Sequence, residues 1–220
     1  IAERVFTVSD WSKNDLVSTY GVSKEKIVVT PNAPQRTFTA GESSFSSNYF
    51  CAVGALAPRK NLITLIKAFD QWCGLNPKEN HTLKIAGTAL FKGSDFEQEL
   101  QGLNHSERIE WLGRLNENDL EKLYRGASAY CMPSAMEGFG IPLVEAMQCA
   151  TPIIASKNSA ITEVVGKSGV LLPTYDVDAW TEGLQKVVNE YEHWSDLALK
   201  RSKSFDWIKS AKLFINALKE

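Results

Sequence analysis

Short apolar runs and helix-spaced apolar stripes alternate along most of the chain. The runs predict buried strands at residues 49–54, 83–87, 109–113, 129–133, 152–155 and 169–172. The segments between them predict helices at residues 62–72, 96–103, 118–126, 142–148, 161–165 and 177–190. In the first of these helices, apolar side chains recur at 62, 65, 66 and 69. This alternation predicts an α/β fold in which a parallel sheet carries helices on both faces.

Both ends of the chain depart from this rhythm. Residues 5–8 and 27–30 predict two further strands, with a helix through about residue 20 between them. Residues 35–48 are polar and predict a linker or loop, and the chain from residue 194 on predicts an amphipathic helical end. Because the chain begins without methionine and in a strand-like segment, we interpret it as part of a longer protein.

The composition is that of a globular domain without electrostatic specialisation. Of 220 residues, 44% are hydrophobic, and 24 basic against 26 acidic residues leave a formal charge of -2, which argues against nucleic acid as a bulk electrostatic partner. The four cysteines lack CxxC spacing, so no zinc site is expected and a reduced, cytoplasmic setting fits. No apolar run approaches the ~20 residues of a membrane span. No transmembrane segment is therefore expected, and peripheral attachment at the inner membrane face stays open.

Ligand chemistry is expected beyond the carboxyl ends of the strands, where parallel sheets bind their ligands. The most informative segment is EGFGIPLVE, from Glu137 to Glu145. Gly138 and Gly140 allow a ligand to approach the backbone, and Pro142 suits the first turn of a helix whose free N–H groups attract anions. On spacing alone, a capped helix in which Glu145 merely complements the dipole is an equally good interpretation.

Two other strand ends carry candidate residues. Gly54 is followed by Arg59 and Lys60, whose guanidinium and ammonium groups suit a diphosphate, although a solvated basic pair at a loop is the commoner case. At residues 113–115, a glycine after a buried strand leaves backbone groups free to face a ligand, and Arg114 adds a charge. Taken alone, this strand end indicates no specific function.

In this order and spacing, these segments resemble the retaining glycosyltransferases of family 4, also called group 1 glycosyltransferases. The similarity covers roughly residues 5–190 and runs through VSDWSKNDL, KIVVTPNAP, VGALAPRKNLITLIKAF, LKIAG, IEWLGRL, YCMPSAMEGFGIPLVEAM, ATPIIAS, ITEVVG and GVLLP. Its most specific part is the Glu-x7-Glu pattern from Glu137 to Glu145. The resemblance implies the GT-B fold, in which two Rossmann-like domains face a cleft. This chain would supply the C-terminal, doubly wound domain that binds the donor.

The resemblance also implies individual roles toward a nucleotide-diphosphate-sugar donor, UDP- or GDP-linked. Glu145 would bind the ribose hydroxyls, and Glu137 would lie near the transferred sugar. Arg59 and Lys60 would hold the diphosphate and stabilise the leaving group. The other implied donor-binding residues are Gly54, then Gly113, Arg114 and Leu115 at the base, and Gly138, Phe139, Gly140, Ile141, Leu143 and Val144 around the diphosphate.

One position departs from the family pattern. Many members have Gly-Arg where this chain has Gly54-Ala55, so the first arginine of their phosphate pair is absent here. Arg59 is a candidate substitute, and Lys60 is the stronger candidate for catalysis. Glu163 lies in a recurrent family loop, and its role stays open. No bridging metal and no other cofactor is expected.

Applied to the whole chain, the resemblance divides it into four parts. Residues 1–34 would be the last strand and helix of the N-terminal domain with the crossover, and 35–48 a linker or loop. Residues 49–192 would form the nucleotide-sugar-binding domain and 193–220 a C-terminal helical segment. The rest of the N-terminal domain would be missing, and apolar residues of the last segment would therefore lack part of their cover (Trp207, Ile208, Leu213 and Phe214).

The implied reaction is sugar transfer with retained configuration to a glycan, lipid or other acceptor. Two other functions stay open, namely a non-catalytic nucleotide-sugar-binding module and another GT-B enzyme such as a sugar-nucleotide epimerase. A receiver-type signalling domain would need an acidic cluster at the strand ends, and the sequence offers none there.

We predict that the isolated chain binds nucleotide weakly and transfers no sugar, because most of the acceptor site would lie in the missing half. Transfer assays with the isolated chain and with the full-length protein check this. Robust transfer by the isolated chain would refute it.

Overall fold

A computed structural model describes residues 2–35, 38–42, 48–88 and 95–219, which form two parallel sheets. The small sheet pairs β1 (Val5–Thr7) with β2 (Ile27–Val29), and the main sheet contains β3 (Tyr49–Val53), β4 (Thr82–Ala86), β5 (Ile109–Gly113), β6 (Ala129–Met132), β7 (Ile153–Ser156) and β8 (Val170–Leu172). The helices are α1 (Asp10–Tyr20), α2 (Leu62–Leu75), α3 (Asp95–Gln101), α4 (Glu117–Gly126), α5 (Ile141–Gln148), α6 (Ser159–Val165), α7 (Val177–Asn189), α8 (Tyr191–Ser202) and α9 (Trp207–Ala217), with 3-10 turns at Lys24–Lys26, Pro58–Lys60 and Ser106–Arg108.

The strand order of the main sheet is β5-β4-β3-β6-β7-β8, and every pairing is parallel. The chain winds outward from β3 in one direction and then, from β6, in the other. This confirms the predicted α/β fold with a doubly wound, Rossmann-like sheet. The reversal between β3 and β6 opens a crevice at the carboxyl ends of the central strands, where such folds bind ligands.

Apolar side chains cover both faces of the main sheet. Along β3, Tyr49 and Cys51 point to the core formed with α4, α5, α6 and α8, while Phe50 and Ala52 point to the core formed with α2 and α7. This period of two follows from the pleat of a strand. Each fully buried large side chain stabilises the fold by about 1.5–3 kcal/mol, and Trp72 is among the largest of them. The main sheet is therefore a rigid support for the loops at its edge.

The C-terminal segment, for which an amphipathic helical end was predicted, consists of two helices. The chain turns after α8, and Asp206 caps α9 by accepting a hydrogen bond from the Ile208 N–H at 2.7 Å. Helix α8 packs on α5 and crosses the boundary placed between residues 192 and 193. The physical reason for the break is this aspartate cap, which starts a new helix.

Helix α9 returns to the N-terminal part of the chain. The Trp207 indole N–H donates to the Pro34 carbonyl at 2.8 Å, and the Phe6 and Phe214 rings lie 4.3 Å apart between centroids. The helix nevertheless leaves much apolar surface exposed at the expected residues Trp207, Ile208, Leu213 and Phe214. Ile215 and the C-cap residue Leu218, which the sequence analysis did not name, are exposed as well. In the described part of the chain, no helix is both long and apolar enough to cross a membrane.

Part of the expected linker packs on the main domain. Phe38 is buried, and both the N–H and the hydroxyl of Thr39 donate to the Glu121 carboxylate of α4, at 2.9 and 3.1 Å. Residues 36–37 and 43–47 of that linker lie outside the described residues.

We predict that Gly87→Ala lowers the free energy of unfolding by about 2–4 kcal/mol. Gly87 has φ 147°, and a methyl group there would lie 1.8 Å from the Gly54 carbonyl oxygen. The matched control is Gly74→Ala in α2, where the nearest atom would be 3.7 Å away. Alanine should leave that helix as stable or more stable. The urea concentration at which half of the protein is unfolded is measured for both variants. Equal values for Gly87→Ala and Gly74→Ala would contradict the steric argument.

Candidate functional site

The ends of β3, β4 and β5 meet as bare backbone. Gly54, Gly87 and Gly113 follow or end these strands with φ values of 151°, 147° and 66°. The Gly54 N–H donates to the Ala86 carbonyl at 2.9 Å, and the Gly87 N–H to the Gly113 carbonyl at 2.8 Å. A side chain at Gly87 would collide with Gly54, so these glycines permit the close approach of the strand ends.

A groove of about 250 Å³ lies over Gly54 and Gly87, and Gly113 of the predicted donor site is not among the residues that line it. It brings together Gly54, Arg114 and Leu115 of the predicted donor site, which come from two separate strand ends. Its lining also includes Val53, Ala55, Ala86, Gly87, Thr88 and Leu120. The groove is thus lined by small residues at the ends of β3 and β4 and by the larger residues Arg114, Leu115 and Leu120.

An ion-pair cluster lies beside this groove. The Lys60 ammonium is 2.6 Å from Oε1 of Glu137, and the Arg59 Nη1 donates to both carboxylate oxygens at 3.1 and 3.2 Å. The Lys60 and Glu137 side chains are only 14% and 12% exposed, whereas Arg59 is 59% exposed. Lys60 also lies against Gly54. A methyl group added at Gly54 would be 3.2 Å from Cε of Lys60. The cluster therefore joins the end of β3 to the loop after β6.

Opposing effects set the ionisation of Glu137. Burial disfavours the carboxylate, but the hydrogen bond and the charge of Lys60, together with Arg59, hold the pKa of Glu137 below its ordinary value. Glu137 is therefore ionised at neutral pH, and the site contains more positive than negative charge. An anion could take the place of this carboxylate on Lys60 and Arg59.

Contacts between loops hold Glu137 in place. Its N–H donates to the Ser159 hydroxyl at 3.1 Å, and the Ala135 N–H donates to the Arg59 carbonyl at 2.7 Å. The Asn61 side chain, on a residue with φ 50°, donates to the Pro133 and Thr174 carbonyls at 3.1 and 2.8 Å. The sequence analysis missed Ser159 and Asn61. The one local signal was the position of Asn61, directly after the basic pair.

Helix α5 begins at the reversal point. Gly140 precedes it with φ 94°, and no side chain caps the helix start. Pro142 in the first turn has no N–H, and the Leu143 N–H donates to the Gly140 carbonyl at 2.9 Å, so only part of the first turn has N–H groups to offer a ligand. Leu143 and Val144 are fully buried and Phe139 is 5% exposed, packed edge-on to Phe205, so the side chains of all three belong to the core.

Glu145 lies beyond the first turn of α5. Its Oε2 accepts a hydrogen bond of 2.9 Å from the hydroxyl of Tyr124 on α4. Burial raises the pKa of Glu145, the hydrogen bond from Tyr124 lowers it, and the charge of Glu117 raises it. A role limited to complementing the helix dipole does not account for this position, because the dipole effect is confined to the first turn.

The N-terminal part of the chain reaches the same loop. The Gly138 carbonyl accepts hydrogen bonds from the hydroxyls of Ser9 and Ser12 at 2.8 and 3.4 Å. The Glu163 carboxylate accepts from the Asp10 and Trp11 N–H groups at 3.1 and 3.2 Å. Glu163, whose role the sequence left open, therefore caps α1 and ties it to α6.

Asp176 and Asp178 have Asp-x-Asp spacing, a sequence feature that would favour a metal and that the expectation of a metal-free site overlooked. The structure explains both residues. Asp176 caps α7 by accepting from the Ala179 N–H at 3.0 Å, and Asp178 accepts from the Gln71 side chain at 2.9 Å. Among the described residues, no group of three or more His, Cys, Asp or Glu side chains could hold a metal ion.

The family described as Glycosyl transferases group 1 matches residues 37–203. The chain belongs to this family. The resemblance drawn from EGFGIPLVE and the strand series is thereby confirmed, and the doubly wound sheet is that of the C-terminal domain in the GT-B fold.

Curated relatives of this group 1 chain include enzymes of bacterial surface polysaccharides. It is 27% identical to O-antigen chain mannosyltransferase B from Escherichia coli, over 99% of this chain and 61% of that protein. It is 30% identical to O-antigen chain mannosyltransferase RfbU from Salmonella typhimurium, over 84% of this chain and 51% of that protein. The chain thus spans about half to three-fifths of the length of these relatives.

Solved structures share the fold of this group 1 chain. Anabaena HepE in complex with UDP and glucose matches with a TM-score of 0.86 at 22% identity, over 100% of this chain and 64% of that one. Sucrose-phosphate synthase from Thermosynechococcus elongatus matches with a TM-score of 0.84 at 22% identity, over 100% and 58%. At this identity the likeness establishes the architecture alone.

We predict that Lys60→Met lowers the free energy of unfolding by about 1–3 kcal/mol at neutral pH, because it leaves the buried Glu137 carboxylate with only the exposed Arg59. Because the fold holds the pKa of Glu137 below its ordinary value, the ionised carboxylate stabilises the folded protein at neutral pH. This stabilisation is lost as pH falls through the pKa of Glu137 in the folded protein. The difference between variant and wild type should therefore shrink in acid.

The matched control is Lys200→Met, which breaks the exposed pair of Lys200 with Asp196 on α8. Such a surface pair contributes little to stability. Urea unfolding at several pH values measures both variants. A pH-independent difference for Lys60→Met would show that the charge on Glu137 is not its cause.

Proposed function

We propose that this chain is the donor-binding half of a retaining glycosyltransferase that takes its sugar from a nucleoside-diphosphate sugar. The observation that carries the proposal is the cluster of Lys60, Arg59 and Glu137 beside the open start of α5, at the strand-order reversal. Two cations and a helix N-terminus at one point suit a diphosphate. A carboxylate held within the same cluster suits the hydroxyl groups of a sugar.

The site divides among the parts of such a donor. The base would lie in the groove over Gly54, bordered by Gly113, Arg114 and Leu115. The ribose hydroxyls would donate to Glu145, and the diphosphate would lie on the N–H groups at the start of α5. The nucleotide would be UDP or GDP, and the sugar would be a hexose.

Lys60 and Arg59 would act electrostatically on the departing diphosphate. As the bond between the sugar C1 and the phosphate oxygen breaks, negative charge would grow on that oxygen, and the two cations would stabilise it. The acceptor hydroxyl would form the new bond to C1 on the same face and pass its proton to the leaving phosphate. These two cations would supply the charge that a metal supplies elsewhere, so no metal is needed.

Glu137 fits positioning rather than covalent catalysis. Both of its carboxylate oxygens face cations in the structure, and its pKa is held low. We assign it to binding the transferred sugar and to holding Lys60 in place. Arg59 contacts the same carboxylate from the solvent side, which makes it the candidate substitute for the arginine absent at Ala55.

The remainder of the full-length protein would supply the acceptor half. The exposed apolar residues of α9 and the small β1–β2 sheet are where that half would pack. The acceptor would be a glycan or a lipid-linked molecule, and the protein would work in the cytoplasm or peripherally at the inner membrane face. The alternative of a binding module without turnover draws support from Ala55, because one expected cation is missing there.

We predict that UDP or GDP, and the matching nucleotide sugar, raise the melting temperature of the full-length protein, since a ligand of the folded state stabilises it by RT ln(1 + [L]/Kd).

Lys60→Ala should lower kcat by roughly 100-fold or more. Glu145→Gln should weaken nucleotide affinity by about tenfold. Thermal shift and transfer assays measure these effects.

Lys200→Ala on the exposed face of α8 is the control and should match wild type. Nucleotide binding without turnover in the wild-type protein would favour the binding module. If no nucleoside diphosphate stabilises the protein at millimolar concentration, the proposed function fails.

A further inference from the structure

We propose that Tyr124 is a positioning residue of the donor site, which holds the Glu145 carboxylate in the orientation that receives the ribose hydroxyls. This inference rests on the proposed function, because it needs Glu145 to be the ribose ligand. Tyr124 lies on α4 and was not among the residues predicted for the site.

The contact is built from a rigid side chain. Tyr124 is fully buried, and its hydroxyl donates to Oε2 of Glu145 at 2.9 Å. Its ring is held edge-on by Phe38 and Tyr130, with centroids 6.0 and 5.5 Å away. Its carbonyl accepts a hydrogen bond of 2.8 Å from the Thr151 hydroxyl. Ring and backbone are thus both fixed, and the hydroxyl has one direction in which to donate.

This hydrogen bond has two consequences for Glu145. It occupies Oε2 and fixes the rotation of the carboxylate, which leaves Oε1 for a ligand. It also favours the ionised form against burial, which raises the pKa of Glu145. Ionisation matters because a carboxylate can accept hydrogen bonds from two hydroxyls. In the protonated acid, one oxygen carries the proton and acts as a hydrogen-bond donor.

The surroundings of Glu145 determine the expected pH dependence. The groups that act on its ionisation are Tyr124 and Glu117, both on α4, with the Tyr130 hydroxyl of β6 also within electrostatic reach. Burial raises the pKa of Tyr124 well above its ordinary value, so this hydroxyl stays protonated and donates across the accessible pH range. Without the Tyr124 hydroxyl, burial and the charge of Glu117 would both disfavour the ionised form of Glu145.

Tyr130 provides a matched control in the same core. It is also fully buried and packs edge-on against Tyr124, but among the described residues its hydroxyl has no hydrogen-bond partner. Tyr130→Phe therefore removes one buried hydroxyl from the same cluster and keeps the bond between Tyr124 and Glu145.

The experiment compares Tyr124→Phe, Tyr130→Phe and Glu145→Gln in the full-length protein. Affinities for UDP and GDP, for their 2′,3′-dideoxyribose analogues and for inorganic pyrophosphate are measured by calorimetry between pH 5 and 8. For Tyr124→Phe we expect roughly tenfold weaker binding of the nucleotide at neutral pH. Pyrophosphate binding should stay unchanged, and the acid-side loss of nucleotide affinity should move to higher pH. Tyr130→Phe should follow the wild-type profile.

Each outcome bears on the inference. Equal nucleotide affinities and pH profiles for the two Phe variants overturn it, as does an equal loss of dideoxy-analogue and nucleotide binding in Tyr124→Phe. If Tyr124→Phe reduces stability so far that binding cannot be measured, Tyr124→Trp, which keeps a ring N–H donor, decides instead. A wild-type preference of Tyr124→Trp for the nucleotide over its dideoxy analogue supports the inference, and loss of that preference overturns it. If Glu145→Gln binds every nucleotide like wild type, the proposed function of Glu145 fails together with this inference. If Glu145→Gln loses ribose-dependent binding and Tyr124→Phe does not, only the inference fails.

Discussion

The Lys60–Glu137 ion pair connects the two halves of the doubly wound sheet on which the candidate site is built. Lys60 follows β3 and Glu137 follows β6, the two strands between which the winding reverses. Neither side chain is more than 14% exposed, so each depends on the other for its charge to be tolerated. The same pairing keeps a strong positive charge at the crevice and keeps the carboxylate ionised beside it.

The bare strand ends set the shape of the space next to this pair. A side chain at Gly87 cannot coexist with the Gly54 carbonyl, and a methyl group at Gly140 would lie 2.9 Å from Leu143. Gly54 and Gly87 therefore line the groove without side chains, and no side chain at Gly140 covers the start of α5. Other residues of the expected site, such as Val144, have side chains fully buried in the core.

The N-terminal segment contacts the loop of the candidate site, and α9 packs on that segment. Ser9 holds the Gly138 carbonyl, and Glu163 caps α1, so a displacement of α1 would act directly on the loop that carries Glu137. Helix α9 packs on the small sheet through Phe214 and leaves most of its other apolar residues exposed.

The sequence by itself determined the elements and the principal charged residues. Apolar periodicity predicted the strands and helices of residues 49–190 to within a few residues. EGFGIPLVE, Arg59 and Lys60, read together with the strand series, indicated the family, which the match over residues 37–203 confirms. Local patterns suffice for these features because periodicity and glycine positions are written in consecutive residues. The Asp206 cap that divides α8 from α9 was also local, and it was overlooked.

Only the tertiary structure decided which side chains meet. Tyr124 reaches Glu145 across two helices, Ser159 supports Glu137 from α6, and Glu163 caps a helix far away in the chain. Each of these contacts joins residues whose separation follows from strand order and helix packing, which no local pattern encodes. The burial that sets the ionisation of Glu137 and Glu145 arises in the same way, because water is excluded by elements that the chain brings together only on folding.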